Sequence, residues 1–191
     1  MINSITEDYN FQNSNFSKEK LISAEYDSCT FENCDFSSLD LKHKTFIDCK
    51  FNNCNFSNAI VFNTSFRDVT FYECKIIGVD FSKCKSFLLR FSFTNCKLDY
   101  SSFYNLQLKA TKFTNCNLME VDFTQSNMSN STFDNCNLMN AIFENSILEY
   151  CDFRTAYNYR IDVDNNYIKK AFFSLPEVSG LLHKYDITIE S

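Results

Sequence analysis

The segment Phe113-Thr114-Asn115-Cys116-Asn117-Leu118 decides the fold, because the chain repeats this phrase at a fixed interval. The period is 20 residues, with one step of 22. A fixed internal period indicates stacked units that bury one continuous core. Copies of the phrase begin at Phe31, Phe51, Phe71, Phe93, Phe113 and Phe133.

A shorter period of five residues runs inside the longer one. Apolar residues, most often phenylalanine, occupy every fifth position from Phe11 to Phe81 and again from Phe93 to Phe153. This spacing matches neither an amphipathic helix nor an alternating strand. Five residues per side and 20 per repeat give each coil four sides. The sequence therefore predicts an all-β square coil over residues 11–173, rising by about 4.8 Å per turn.

The cysteines follow the same register. Nine of the ten stand two residues before a central apolar residue, a position that Ala59, Ala141 and Ser101 also occupy. The position therefore selects small side chains, and cysteine serves there as a small buried hydrophobe. We expect reduced thiols that form no disulfide and bind no metal. Only Cys84 lies outside the regular register, and its role stays open.

The composition indicates which residues form the corners and in which cellular compartment the protein is expected. Glycine and proline number only two and one, so asparagine, aspartate and serine must supply the corners. Residues 1–10 form an acidic leader that has neither a basic region nor an apolar run, unlike a signal peptide. No stretch of about 18 apolar residues exists, so we expect a cytoplasmic protein with no membrane span.

The five-residue spacing is interrupted between Phe81 and Phe93, where the chain contains two extra residues. Either Ser86 or Leu88 fills the core there, and Leu88 is the better candidate because it is apolar. The excess residues should bulge outward while the columns above and below stay aligned. A tolerated insertion and a functional bulge both remain open.

The carboxy-terminal residues 174–191 leave the repeat. Ser174 and Glu177 resemble a capping box, which predicts a short α-helix that covers the open end of the stack. Gly180 is costly inside a helix, so we expect another helix to approach closely there. Residues 187–189 are predicted to close the chain as a short β segment.

The net charge of −6 is unevenly distributed along the chain. Residues 1–41 carry −6, residues 42–112 carry +6, residues 113–153 carry −6, and residues 154–191 are neutral. The third block contains no base, so it should repel nucleic acid and attract basic surfaces, including surfaces that bind DNA. A merely solubilising surface is the alternative. The acids of this block are Glu120, Asp122, Asp134, Glu144, Glu149 and Asp152.

Catalytic motifs are missing from the sequence. His43 and His183 are the only histidines, and both fall at positions expected to be exposed. The sequence shows no glycine-rich phosphate loop and no paired metal-ligand spacing. We therefore expect a protein that is not an enzyme and that needs no cofactor.

The five-residue motif resembles that of the pentapeptide repeat family. It consists of a small residue, a polar residue, a central phenylalanine or leucine, and two further polar residues. It is seen at Cys34–Ser38 and Cys116–Glu120, and the resemblance covers roughly residues 11–173. The family's fold is a right-handed quadrilateral β-helix. A narrower resemblance, at Phe31–Leu41 and Leu181–Ile189, is to Qnr-type quinolone-resistance proteins and their MfpA-like relatives. Unlike plasmid-type Qnr proteins, this chain has no long insertion between Phe31 and Phe81.

The narrower resemblance implies a dimeric rod that mimics DNA and binds DNA gyrase or topoisomerase IV, relieving quinolone inhibition. The acids of residues 113–153 would then face gyrase, and the carboxy-terminal module would form a homodimer. Two alternatives are a scaffold for another cytosolic protein and immunity to a gyrase-directed toxin. The resemblance places the dimer contacts at Leu181, Leu182, Tyr185 and Ile187.

Overall fold

The computed structural model describes residues 4–190, and Ser191 and residues 1–3 of the predicted leader lie outside them. Every strand pairing is parallel, and each strand pairs with the equivalent strand of the next coil. Phe31 aligns with Phe51, and Phe51 with Phe71, at the 20-residue period. Phe71 aligns with Phe93 across the step of 22, so the predicted alignment of the columns is confirmed.

Two sheets contain the strands of the coil. The strands are β1 Ile5–Glu7, β2 Asn10–Gln12, β3 Glu25–Asp27, β4 Thr30–Glu32, β5 Thr45–Ile47, β6 Lys50–Asn52, β7 Ser65–Arg67, β8 Val69–Tyr72, β9 Phe91–Thr94, β10 Lys112–Thr114 and β11 Thr132–Asp134. The first has the order β1-β3-β5-β7, and the second has the order β2-β4-β6-β8-β9-β10-β11. The remaining sides carry isolated parallel bridges at the same spacing, such as Asp122 with Ile142.

We name each side of the coil after its central residue in the coil of Phe113–Met128. These are the Phe113, Leu118, Phe123 and Met128 sides. On the Phe113 side, rings of successive coils stack with centroids 4.7–5.2 Å apart and planes within 13° of each other. The predicted inward ladder of phenylalanines is therefore confirmed, and it forms one core along the whole stack.

The small-residue position also supplies a hydrogen-bond donor. Thr64 Oγ1 donates to the carbonyl of Leu41 at 2.8 Å, Ser131 Oγ to that of Leu108 at 3.0 Å, and Cys151 Sγ to that of Met128 at 2.9 Å. Each acceptor lies 23 residues earlier, at the central residue of a side in the preceding coil. Small size is therefore not the only property that residues at this position supply, although Ala59 and Ala141 show that a donor is not required. Cysteine, serine and threonine fit because they also satisfy a buried carbonyl.

The corners are left-handed. The last residue of most pentapeptides has a φ near +55°, as at Asn115, Asn135 and Asn145. Asparagine tolerates this conformation better than other residues with a side chain, which confirms the predicted corner chemistry. Successive corners also bond to each other, because Asn135 Nδ2 donates to Asn115 Oδ1 at 2.8 Å.

The prediction that Leu88 or Ser86 fills the core is wrong. Both are exposed, and Leu88 is 60% accessible at the tip of an outward bulge with a φ of 56°. Phe91 fills the core instead, with its ring 5.1 Å from that of Phe81. Phe91 stands at a small-residue position of the next side. The large ring of Phe91 fills the core space that a residue of the bulge would otherwise occupy. The extra residues therefore lie outside the coil. Cys84 beside the bulge is half-buried.

The first coil begins earlier than predicted. Strand β1 lies inside the stretch 1–10 assigned to a leader, and it pairs with β3 so that Thr6 aligns with Tyr26. The sequence pattern missed this strand because its central residue is a threonine rather than an apolar residue. Among residues 4–190 no helix is long and apolar enough to cross a membrane.

The carboxy-terminal segment is helical, but the predicted α-helix is wrong. Two short 3₁₀ helices, Val178–Leu181 and His183–Tyr185, replace it, and no side chain caps the first one. The carbonyl of Gly180 accepts a hydrogen bond from Ile161 N at 3.1 Å. This carbonyl bonds to the last coil rather than to the next helical turn.

The close approach predicted at Gly180 exists, but its partner is the last coil rather than a helix. A Cβ on Gly180 would collide with the carbonyl oxygen of Tyr159 and lie 2.9 Å from its ring. Tyr159 is buried at the end of the stack, so the segment does cover that end. The predicted β segment at 187–189 is also wrong. Asp186 has a φ of 49°, and residues 187–190 are exposed and form no strand.

Candidate functional site

The structure does not bring the six predicted acids together on one surface. They are distributed over all four sides of the coil, because the five-residue period rotates successive pentapeptides by a quarter turn. Asp122 and Glu144 lie on the Phe123 side, and Asp134 and Asp152 lie on the Phe113 side. Glu149 lies on the Met128 side, and Glu120 occupies a left-handed corner with a φ of 55°.

The two acids on the Phe123 side are the strongest candidate for a surface that binds a basic partner. Asp122 precedes Phe123, Glu144 follows Phe143, and the two acids lie on adjacent coils joined by the Asp122–Ile142 bridge. The Asp122 carboxylate accepts a hydrogen bond from Thr124 N at 2.9 Å, which holds it against its own corner. Among residues 4–190 neither acid forms an ion pair. These two charges are therefore free to attract a basic partner.

The same side continues into acids that the sequence analysis did not include. Asp162 and Asp164 stand 20 residues after Ile142 and Glu144, in the next coil. The prediction missed them because the acidic block was ended at the first base, Arg154. The 20-residue period was the signal that would have placed them on this side.

Lys184 neutralises this second pair. Its ammonium group contacts the carboxylate of Asp162 at 2.6 Å and also that of Asp164. Hydrogen bonds from Lys184 lower the pKa of both carboxyl groups, and the same bonds raise the pKa of Lys184. The hydroxyl of Tyr185 also donates to Asp164 at 3.2 Å. These contacts fasten the carboxy-terminal segment to the Phe123 side.

Asp152 is paired with Arg154, a base that lies just outside the acidic block. The Arg154 guanidinium contacts its carboxylate at 2.7 Å and lowers the pKa of Asp152, chiefly by hydrogen bonding. Asp134 accepts a hydrogen bond from the hydroxyl of Thr155 at 2.8 Å on the same side. The Phe113 side therefore presents less free negative charge than the Phe123 side does.

Two bases of the middle block pair with acids of their own coil. Lys42 contacts Asp40 at 3.4 Å and Lys83 contacts Asp80 at 3.7 Å, both on the Phe123 side. Free negative charge on that side is thus concentrated in the later coils. Arg67 lies beside the bulge, with its guanidinium carbon 5.7 Å from the centre of the Phe87 ring.

The predicted dimer contacts have different environments. Leu181 packs against the end of the core, and Leu182 is half-buried. Tyr185 is exposed but bonded to Asp164, and Ile187 is 56% accessible. A cavity of about 500 Å³ separates this segment from the last coils, lined among others by Met139, Leu182 and Ile187. Of the four residues, Ile187 is the most available to a second molecule.

The buried thiols of Cys49 and Cys151 are not activated for nucleophilic chemistry. Burial raises the pKa of Cys49 and of Cys151 to about 12, so both remain protonated at neutral pH. His43 is exposed, and its Nδ1 lies 2.9 Å from the amide of Asn63. Within the described chain, no group of three or more histidine, cysteine or acidic side chains is arranged to hold a metal ion.

A family profile described as a pentapeptide repeat region matches residues 24–91 and 86–157, well over half of the chain. The chain belongs to the pentapeptide repeat family. The right-handed quadrilateral β-helix expected from the sequence is accordingly confirmed. No curated protein sequence matches the chain.

Solved structures of QnrB1, described as a plasmid-mediated fluoroquinolone resistance protein, share the fold. One trypsin-treated variant aligns with a TM-score of 0.57 and 18% identity, over 98% of this chain and 100% of that chain. A second aligns with a TM-score of 0.54 and 17% identity, over 96% and 99%. Full-length QnrB1 gives a TM-score of 0.39 and 20% identity, over 96% and 100%.

Proposed function

We propose that this chain is a non-enzymatic DNA mimic that binds DNA gyrase or topoisomerase IV and protects the enzyme from quinolones. The observation that carries the proposal is the free acidic pair Asp122 and Glu144, on one side of a β-helix similar in fold to QnrB1. A type II topoisomerase holds DNA on a basic surface, and regularly spaced carboxylates attract such a surface as phosphates do.

The binding surface we propose is narrower than the six acids of the sequence prediction. It consists of Asp122 and Glu144, with Glu120 at the adjoining corner. Asp152 contributes little because Arg154 neutralises it. Asp134 and Glu149 face other sides, so they would contact a partner that surrounds the rod rather than one that meets a single side.

We further propose that two chains associate through the carboxy-terminal segment. Exposed apolar side chains are concentrated at this end, including Leu175 at 85% accessibility together with Ile187 and Ile189. The segment is also fastened to the Phe123 side through Lys184. Dimerisation would therefore place the acidic pairs of both chains on one longer rod.

Gyrase supercoiling assays, with and without ciprofloxacin, test the binding proposal. The chain should inhibit supercoiling or restore it in the presence of the drug. The variant Asp122→Asn with Glu144→Gln should weaken the effect about tenfold or more, because it removes both free charges. Asparagine at 122 keeps the acceptor for Thr124 N, so the corner is preserved.

A matched control is Glu19→Gln with Glu25→Gln, which changes the net charge equally at the other end of the rod. It should retain the effect of the unmodified chain. The gyrase proposal would be refuted if the chain, at micromolar concentration, neither inhibited supercoiling nor restored it in the presence of ciprofloxacin.

Light scattering after size exclusion tests the dimer. Ile187→Asp should convert a dimer to a monomer, whereas Ile22→Asp, at an exposed isoleucine of the first coil, should not. A dimer that persists in Ile187→Asp would place the interface elsewhere.

A scaffold for another protein is the second candidate function. The exposed bulge favours it, because Phe87 and Leu88 are 69% and 60% accessible on a rigid frame next to Arg67. Exposed apolar side chains flanked by charge are typical of protein contacts. Phe87→Ser would impair a scaffold while leaving an interaction of the acidic pair with gyrase intact.

A further inference from the structure

The amino-terminal end of the coil has unpaired strand edges. Strands β1 and β2 are terminal in their sheets, and among residues 4–190 each pairs with one neighbour only. The opposite end is covered by the segment that contains Gly180. An unpaired edge is a template for an additional strand.

The backbone of β2 points hydrogen-bonding groups outward. Tyr9 O accepts from Thr30 N and Asn13 N donates to Glu32 O, each at 2.9 Å, so these groups face the second coil. Alternate residues of a parallel strand face opposite neighbours. The N–H and C=O groups of Asn10 and Gln12 therefore face away from the second coil.

The side chains at this edge offer an aromatic platform. The Phe11 ring stacks on Phe31 at 4.7 Å with planes 5° apart, and it is only half-buried. Tyr9 packs edge-on against Phe11 at 4.6 Å. An apolar side chain of an added strand would continue the core stack at this point.

The edge is bordered by carboxylates. Glu7 is the last residue of β1, Asp8 follows it, and Glu25 and Asp27 lie in β3, the adjoining strand of the next coil. None of these four forms an ion pair with another residue of the described chain. Residues 1–41 carry −6, so a second copy of this end would be repelled, whereas a basic segment would be attracted.

We propose that the amino-terminal edge formed by β1 and β2 accepts a basic, extended segment of another protein as an additional β-strand. The partner strand bonds to the outward backbone groups of Asn10 and Gln12. It places an apolar residue on Phe11 and lysine or arginine side chains against Glu7 and its neighbours. This surface lies at the opposite end of the rod from the carboxy-terminal segment, and the inference does not depend on gyrase binding.

Nuclear magnetic resonance titration of the isotope-labelled full chain tests this inference. The probe is a synthetic peptide of about seven residues in which lysine alternates with valine and phenylalanine, since strands have about this length. The amide signals of residues 5–12 should shift, and those of the last coils should not. The same peptide with glutamate in place of lysine should not bind.

Two pairs of variants separate strand addition from loose charge attraction. Asn10→Pro removes an outward N–H and should raise the dissociation constant about five- to tenfold. Asn10→Ala keeps that N–H and should bind as the unmodified chain does. Glu7→Lys should weaken binding, whereas Glu190→Lys, at the other end of the chain, should not.

Three results would overturn the inference. One is equal affinity for Asn10→Pro and Asn10→Ala in folded protein. Another is equal binding of the lysine and glutamate peptides. The third is self-association of the chain that Glu7→Lys strengthens, which would make a second copy the occupant of the edge.

Discussion

The regular coils of residues 93–153 and the carboxy-terminal segment of residues 174–190 are held by different kinds of interaction. In the coils, one pentapeptide period sets burial, backbone pairing and corner geometry together, so each rung repeats the contacts of the rung before it. The segment is held by single contacts, chiefly the Gly180 carbonyl and the Lys184 ammonium group.

This difference shows where cooperativity resides in the molecule. Loss of one ring in the coils disturbs the rungs on both sides, because each rung packs only on its neighbours. Loss of one contact in the segment releases the segment alone. The coils should therefore behave as the stable frame and the segment as the part that opens first.

The largest effect should come from Phe113→Ala in the middle of the stack. Phe113 is fully buried between Phe93 and Phe133, so the variant should lose about 3–5 kcal/mol of unfolding free energy. Urea denaturation measures the loss. Phe62→Ala, at an exposed phenylalanine, is the control and should change stability by less than about 1 kcal/mol. Equal losses would refute the inward ladder.

A smaller and local effect should follow Gly180→Ala. The added Cβ meets the Tyr159 carbonyl and ring, so the segment should open more easily by about 1–3 kcal/mol. Hydrogen exchange of the Ile161 amide reports this opening, because that amide donates to Gly180. Ser179→Ala, at an exposed position, should leave the exchange unchanged. Unfolding of the coils together with the segment would contradict the proposed difference between them.

Ala110→Asn should stabilise the coils by about 1 kcal/mol. Ala110 occupies a left-handed corner with a φ of 57°, where asparagine stands in the next coil at position 130. The reverse change, Asn130→Ala, should cost a similar amount. Thermal unfolding measures the stability change of each variant. If both substitutions changed the stability in the same direction, the corners would not select asparagine.

The smallest effect should be the response of the segment to acid. Lys184 lowers the pKa of Asp162 and Asp164 below the ordinary value of 3.8. The contribution of these groups is therefore present above pH 3.8 and is lost as the pH falls through the lowered values. Amide signals of Leu181 and Leu182 should broaden or shift below that pH while the coils persist. Lys184→Met should abolish this response, and an unchanged response would assign it to other groups.

The periodic part of the fold was predictable because one residue type at one interval fixed several properties at once. Phe113, Cys116 and Asn115 each have the burial or backbone geometry that their place in the pentapeptide predicts. Where the period fails, the prediction fails too. Leu88 is apolar enough for the core, yet Phe91 occupies the core there. Which residue is buried depends on the volume that remains inside the coil once the extra residues bulge outward.

The candidate site was less predictable than the fold. Composition identified the acidic block, but only the four-sided geometry separates Asp122 and Glu144 from acids that face elsewhere. The pairing of Asp152 depends on Arg154, just outside the block, and the pairing of Asp162 depends on Lys184, which lies 22 residues away. Such pairings arise from tertiary packing, which no local pattern encodes.

Competition between this chain and duplex DNA for gyrase tests the central claim most directly. Fluorescence anisotropy of a labelled duplex bound to gyrase should fall as the unmodified chain is added, because both ligands would occupy one basic surface. The Asp122→Asn, Glu144→Gln variant should displace the duplex about tenfold less effectively. Gyrase that binds the chain and the duplex simultaneously, or displacement unaffected by these substitutions, would contradict the claim.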